Sequence, residues 1–402
     1  MPDAATRTST RMPSVVYVLA AGTFLMGTSE CVVAGLLTEI AVDFGTTVAR
    51  AGLSITVFAI GMIVGAPVMS GLTIRLSRRV TLAGALVLFA VGHVIVGATH
   101  SFDVLLGARF VTALATGAFW SVGSVTVAQT VGPAVAPRAL GLVLGGGMLA
   151  TVLGVPLGSS TAHVVGWRGT FWALAVLAAL TAAAVALRVP TDPEGRDTPS
   201  IRAELAALAD GRLWLTLATC ALANAGVLSL YSFISPLVTD RAGLPVSMVP
   251  VALLLFGVGA LVGNVAGGRF GVAHPFTTIF SALGLTLVAS VGIWIASSQP
   301  VALLTLFTLL GLVGMSASPV LVSLAIRYGG NAPTLAGAMP TSLFNLGTAV
   351  GTGITGAALG TDLGASAPAV VATVFTVLLF VPLGALALRE RGHAAGGEHR
   401  RG

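Results

Sequence analysis

The sequence predicts an all-α membrane protein of twelve transmembrane helices in two six-helix halves, and three observations predict it. Only 8% of its 402 residues are charged and 55% are apolar, against roughly 25% charge in a soluble domain, so there is too little polar material to coat a water-facing surface. The chain divides into apolar runs of about 18 to 25 residues, long enough for a helix rising about 1.5 Å per residue to cross a hydrocarbon core of roughly 30 Å. One sustained polar stretch near the midpoint, residues 190–212, leaves six such runs on either side of it.

The first run, 14–37, follows Arg7 and Arg11 and so mimics a secretory signal, but it is too long for the apolar region of one and continues past Glu30. It reads as a retained helix. Runs 50–73, 81–99, 103–128, 139–163 and 169–188 follow, completing residues 1–189 as the N-terminal half. The stretch 190–212 holds three prolines, mixed charge and the short amphipathic piece IRAELAAL, which is the composition of a cytoplasmic linker. Runs 213–237, 247–268, 275–296, 300–325, 334–359 and 366–388 then form the C-terminal half, 213–402, which closes on a short polar tail.

The halves are repeats. Phe58, Gly61 and Gly65 of FAIGMIVG in the second helix align with Phe256, Gly259 and Gly263 of FGVGALVG in the eighth, at an offset of 198 residues. An even number of intervening spans gives both halves the same orientation in the bilayer. G-x-x-x-G pairs, which let another backbone approach one helix face, fall only in helices two, five, eight and eleven: Gly61/Gly65, Gly141/Gly145, Gly154/Gly158, Gly259/Gly263, Gly263/Gly267, Gly347/Gly351 and Gly356/Gly360. They are expected where the two halves pack and slide on each other; ordinary glycine-rich packing is the alternative.

All 20 basic residues are arginine, and the net charge is +6. They form no stripe with interleaved aromatics, which argues against nucleic acid, and sit instead beside helix ends. With a cytoplasmic N-terminus, sixteen lie inside, Arg50, Arg168 and Arg241 lie outside, and Arg109 is within a helix. That asymmetry predicts both termini in the cytoplasm of a multi-pass cell-membrane protein. Cys31 and Cys220 have no neighbour at disulfide or metal spacing and read as packing residues; no metal site and no organic cofactor is expected.

Glu30 in helix one and Arg109 in helix four are the charges well inside predicted spans. A lone charge in hydrocarbon costs several kcal/mol, so each needs a partner or a watery cavity. Counting from the outer helix ends places both roughly 10 Å below the outer surface. Burial disfavours the ionised carboxyl and a guanidinium favours it, so a small movement between the two could load and release a proton; a static ion pair holding helices one and four together is the plainer alternative. Thr112, Thr116 and Trp120 follow Arg109 at helical spacing, Thr23, Met26 and Gly27 share the Glu30 face, Asn224 and Tyr231 align on helix seven, and Thr341, Asn345, Thr348 and Thr352 on helix eleven. Thr23, Met26, Thr112, Thr116, Trp120, Asn224, Tyr231 and Asn345 are thus candidates to line a substrate cavity with Glu30 and Arg109, although each could equally bond between helices. Such a cavity suits a small amphipathic molecule and, with one buried arginine and no lysine, suits organic phosphates poorly. His93 and His163 have no carboxylate at helical spacing and read as structural. No Walker motif, H-E-x-x-H or catalytic triad is present, which excludes ATP as a direct energy source and leaves a proton gradient or passive transport.

At FLMGTSE (Phe24 to Glu30) with VVAGL (Val32 to Leu36), GMIVGAP (Gly61 to Pro67), GWR (Gly166 to Arg168) with Phe171 and Trp172, ISP (Ile234 to Pro236) and LFGVG (Leu255 to Gly259), the chain resembles the twelve-helix drug:proton antiporter branch of the major facilitator superfamily, and most closely the actinobacterial chloramphenicol-resistance exporters. The resemblance covers nearly the whole chain. It implies that Glu30 matches the first-helix acid of substrate and proton handling, that Arg109 matches the fourth-helix arginine, and that Gly154, Pro156 and Gly158 form a shortened antiporter motif on helix five. In the loop between helices two and three, Ile74 stands where the family usually has aspartate and Ser77 where it has glycine, which leaves Arg75, Arg78 and Arg79 to pair with helix ends or lipid phosphates. The expected function is proton-coupled efflux of a phenicol-like compound by a monomer in the cytoplasmic membrane. Export of sugars or nucleosides is the alternative within the class, and a non-transporting membrane sensor the alternative outside it.

Overall fold

In lipid every backbone N–H and C=O needs an internal partner, which leaves helices and closed barrels as spanning structures. The computed structural model describes residues 12–72, 76–131, 135–190, 210–329 and 333–398, and these carry helices with no strand. The spans are α1 (Ser14–Val32), α2 (Leu53–Leu72), α3 (Arg78–Ala98), α4 (Phe102–Thr130), α5 (Arg138–Ala162) and α6 (Val164–Arg188), then α7 (Gly211–Ser232), α8 (Val249–Ala273), α9 (Pro275–Ala296), α10 (Pro300–Tyr328), α11 (Pro333–Leu359) and α12 (Gly364–Glu390). Among the described residues, 11 helices are long and apolar enough to cross a membrane. The other, α11, has 27 residues, length for about 40 Å, but carries Asn345 and five threonines on a helix that packs against α2 and α7 instead of turning its whole surface to lipid.

Several boundaries follow from local chemistry. Proline stands in the first turn of α8, α9 and α10, where its missing N–H costs nothing. The side chain of Ser77 accepts from the Val80 N–H and caps α3, so the serine at the expected glycine position has a helix-starting role. Arg79 donates to the Val189 carbonyl at 2.6 Å, which places that arginine on the end of α6 as expected. Ile74, Arg75 and nearly all of the linker, 191–209, lie outside the described residues. At the α5–α6 corner Gly166 takes φ +76°, a conformation that glycine adopts without strain. Arg168 beside it bridges Asp43 at 2.7 Å and the Thr99 carbonyl at 2.5 Å, while the Trp167 indole donates to Asp43 at 3.2 Å, so the GWR segment ties the ends of α1, α3 and α6 together.

The repeat is visible as packing. Gly61 and Gly65 of α2 lie against Phe110, Ala113 and Leu114 of α4; 198 residues on, Gly259 and Gly263 of α8 lie against Thr308 and Leu312 of α10. This corrects the expectation that the glycine pairs join the halves. Gly154 and Gly158 of α5 face Thr28 and Val32 of α1, and Gly347 and Gly351 of α11 face Ala221 and Ala225 of α7, all within one half. Apolar lipid supplies no hydrophobic drive between helices, so same-half neighbours gain most from close backbone approach. Of the pairs named, only Gly356/Gly360 touches the other half, through Gly356 against Ala49. Gly141 and Gly145 have no neighbour at the position of a missing Cβ.

The halves do meet along α2/α11 and α5/α8, by other means. Thr56 and Thr352 share a hydrogen bond at 2.9 Å, Gly257 of α8 rests on Thr151 and Val152 of α5, and beyond the helix ends Thr38 bonds Ser235 at 2.7 Å and Gly52 receives the Phe233 ring. At this end one apolar core, from Val32 to Ala51 and from Val227 to Ala260, crosses from half to half. At the opposite end the described residues form two separate cores, Val15–Val189 in one half and Leu213–Leu386 in the other. One end is sealed by this shared core, and at the other the apolar cores of the described residues stay within their own halves.

Candidate functional site

Just inside the seal, α1 stops being an α-helix. It ends at Val32 and tightens into a 3-10 turn at Val33–Gly35, so Ser29 is among the last four residues, whose carbonyls lack α-helical partners. Arg109 fills that vacancy. Its Nη1 donates to the Ser29 carbonyl and to Ser29 Oγ, both at 3.0 Å, its Nε leans toward the Ser54 carbonyl at 3.5 Å, and its guanidinium lies 4.1 Å over the Phe58 ring. At 1% exposure it is the largest fully buried side chain among the described residues. Its Nη2 has no hydrogen-bond partner.

Glu30, the next residue after Ser29, is half-buried and makes no hydrogen bond or ion pair with any described residue. It lies within electrostatic reach of Arg109 and of Tyr231 across the half boundary. The common depth read from the sequence therefore holds, but the static ion pair between α1 and α4 does not form in this conformation. The buried Tyr231 hydroxyl faces the Cys31 thiol, a weak partner, and makes no hydrogen bond to nitrogen or oxygen; its ring is packed 4.8 Å from Phe256. Trp120, half-buried against Gly147 of α5, holds an indole N–H with no partner.

The other candidates are committed to packing. Thr23 donates to the Val143 carbonyl of α5 at 2.6 Å, and Met26 is buried in the N-half core. Thr112 bonds the Arg109 carbonyl at 2.9 Å with its methyl against Gly92 of α3, and Thr116 bonds the Thr112 carbonyl at 2.8 Å. The Asn224 amide donates to the Phe344 carbonyl and to Thr348 Oγ1 of α11, each at 2.7 Å, and Asn345 donates back to Thr341 at 3.0 Å. The donors of these three threonines and two asparagines are engaged by the nearest carbonyl or a neighbouring helix, the cheapest way to satisfy a polar group in lipid. On α5, Pro156 cannot donate to Val152, and the chain ahead of it relaxes into a π turn at Ala150–Gly154 where α5 touches both α1 and α8.

Two residues escaped the sequence reading as members of the site. Ser29 holds Arg109, and Ser29 Oγ is 2.7 Å from Nε2 of His93, whose Nδ1 is 2.7 Å from the Phe89 carbonyl. A serine beside Glu30 was the only signal, since spacing along one helix does not reveal partners on another. The side chain of His163 lies outside the described residues.

Comparison with known proteins agrees with this architecture. The family model of the Major Facilitator Superfamily matches residues 19–342. The chain is 39% identical to a chloramphenicol resistance protein of Streptomyces lividans over 89% of this chain and 92% of that one. It is 29% identical to the inner membrane transport protein YdhP of Escherichia coli strain K12 over 91% and 95% of the two chains. Among solved structures, an inward-facing, unoccupied bacterial homologue of the human lysosomal transporter Spinster superposes with a TM-score of 0.75 at 16% identity, covering 93% of this chain and 95% of that one.

Proposed function

The chain belongs to the Major Facilitator Superfamily, and from that premise we propose that it is a proton-coupled exporter of a small amphipathic, chloramphenicol-like drug. That it is a multi-pass membrane transporter and not an enzyme follows from the family; the coupling ion, the drug and the direction are the proposal. The observation that carries it is the unpaired Glu30 carboxyl beside an Arg109 whose Nη2 is uncommitted, both just inside the sealed end. A membrane-embedded acid without a fixed partner is poised to take up and release a proton.

The arginine asymmetry supports a reading with the sealed end outside and both termini in the cytoplasm of the cell membrane, so the drug is read as entering between the halves from the cytoplasm. Three buried donors lack a hydrogen-bond partner in this packing, Arg109 Nη2, the Tyr231 hydroxyl and the Trp120 indole, and a drug would meet them once the helices around them part. Such a set favours neutral ligands rich in acceptors such as carbonyl or nitro groups. Drug binding displaces the proton from Glu30, and by linkage proton binding weakens the drug; a proton entering from outside then drives export, with a monomer as the working unit. The nitro group of the drug named by the Streptomyces lividans relative is one such acceptor. Export of sugars or nucleosides is disfavoured, because the candidate faces hold only two amides and both N–H groups of Asn224 and one of Asn345 are engaged by α11.

The test is Glu30→Gln, which keeps the shape without the titratable proton. In everted vesicles energised by a proton gradient, chloramphenicol accumulation should fall at least tenfold relative to the native protein while the variant still reaches the membrane. Undiminished gradient-driven accumulation by Glu30→Gln sinks the proposal.

A further inference from the structure

The chain of contacts behind Arg109 has only one consistent arrangement of hydrogens. The Phe89 carbonyl can only accept, so Nδ1 of His93, 2.7 Å away, carries the hydrogen. Nε2 of the neutral ring is then a lone pair, and Ser29 Oγ, 2.7 Å from it, must donate. With its one hydrogen used there, Ser29 Oγ presents lone pairs to Arg109 Nη1 at 3.0 Å, and the guanidinium donates. Reversing any one of these bonds breaks its neighbour.

The surroundings offer the ring no counter-charge. His93 is 1% exposed and lies between the rings of Phe89 at 4.0 Å and Phe171 at 5.6 Å. The ionisable groups near it are Arg109, reached through Ser29, and Glu30 and Cys31, which follow Ser29 in α1; no carboxylate bonds the ring. An imidazolium would face the guanidinium across a single hydroxyl.

We infer that His93 and Ser29 form a one-way hydrogen-bond relay that holds Arg109 away from Glu30, making both of them positioning residues for the proton step. The inference rests on the reading of Glu30 as proton carrier. With the relay intact, Arg109 is tied to the Ser29 side of α1 and the Glu30 carboxyl is free to take a proton when drug leaves. Without it, Arg109 is released to pair with Glu30, and an arginine-paired carboxylate no longer exchanges protons with drug binding.

Full-length protein in detergent, mixed with chloramphenicol and a pH indicator, reads the protons released per drug bound. Ser29→Ala, which removes only the hydroxyl, and His93→Leu should each lower that ratio at least fivefold. His93→Gln keeps an acceptor at the Nε2 position without a titratable ring and should restore at least half of it. A ratio unchanged in Ser29→Ala, or a glutamine variant as defective as leucine, overturns the relay. Nitrogen NMR of histidine-labelled protein reads the relay independently of transport: a neutral Nδ1–H ring at His93 is expected, and an Nε2–H ring or an imidazolium overturns it. A native protein that binds drug and releases no proton overturns the Glu30 reading, whereas a wrong tautomer with normal proton release overturns the relay alone.

Discussion

A buried hydroxyl with no partner costs roughly 1–3 kcal/mol, and the Tyr231 hydroxyl near Glu30 has only the weakly bonding Cys31 thiol beside it. Packing alone would favour phenylalanine there. Tyr231→Phe should therefore raise the melting temperature in detergent by a few degrees, since about 1 kcal/mol moves a domain of this size by roughly 2–4 °C. At the same time the drug loses a donor, and its apparent affinity should fall about five- to thirtyfold, the equivalent of roughly 1–2 kcal/mol. Asn224 carries the opposite expectation. Its amide joins α7 to α11 through Phe344 and Thr348, and an inter-helix hydrogen bond in a membrane is worth about 1 kcal/mol. Asn224→Ala should lower thermal stability by that amount and leave drug affinity within twofold. Paired melting and drug-binding measurements check both; a Tyr231→Phe protein that is less stable and binds normally would place that hydroxyl in packing.

Between elements, the glycines separate into those that let two backbones touch and those that face space. A methyl group on Gly65 would come within 2.8 Å of the Leu114 Cα, a backbone atom that cannot swing aside, whereas one on Gly145 would meet nothing within 4 Å. Gly65→Ala should cost about 1–3 kcal/mol by overpacking, and Gly145→Ala should gain about 0.5–1 kcal/mol from reduced backbone freedom in the unfolded chain. Thermal unfolding followed by size exclusion ranks them, and the reverse order would contradict the packing. The same glycines mark what was legible in the sequence. A missing side chain announces close approach but not the partner, so α2, α5, α8 and α11 were rightly singled out while the pairs were assigned to the wrong neighbours. Span ends were legible where proline starts a helix, as at Pro275 and Pro300. Arg109 and Glu30 were placed at one depth because rise per residue is fixed. The His93 contact was hidden, because its partner Ser29 lies on another helix and no spacing within α3 encodes it.

For the whole molecule, a transporter that works by alternating access must break every contact that seals one end. The polar contacts that join the halves at that end include Thr56 with Thr352 and Thr38 with Ser235. Hydroxyl pairs suit a seal that must open, because each bond can be exchanged for one to water at a net cost of only about 0.5–1.5 kcal/mol, whereas a buried ion pair broken in the same way costs several times more. The shared apolar core from Val32 to Ala260 supplies the rest of the closure and must part with them. A covalent bond across the seal should therefore stop the cycle without emptying the site. In the double variant Thr56→Cys with Thr352→Cys, whose side-chain ends stand where the native oxygens are 2.9 Å apart, oxidation should reduce gradient-driven chloramphenicol transport to background, and reduction should restore it. Drug binding to the oxidised protein in detergent should persist, since the cross-link leaves the packing of the halves at the other end unchanged. Full transport by the oxidised double variant, with the cross-link verified by mass, would mean that the seal between α2 and α11 does not open during the cycle and that the drug leaves by another route.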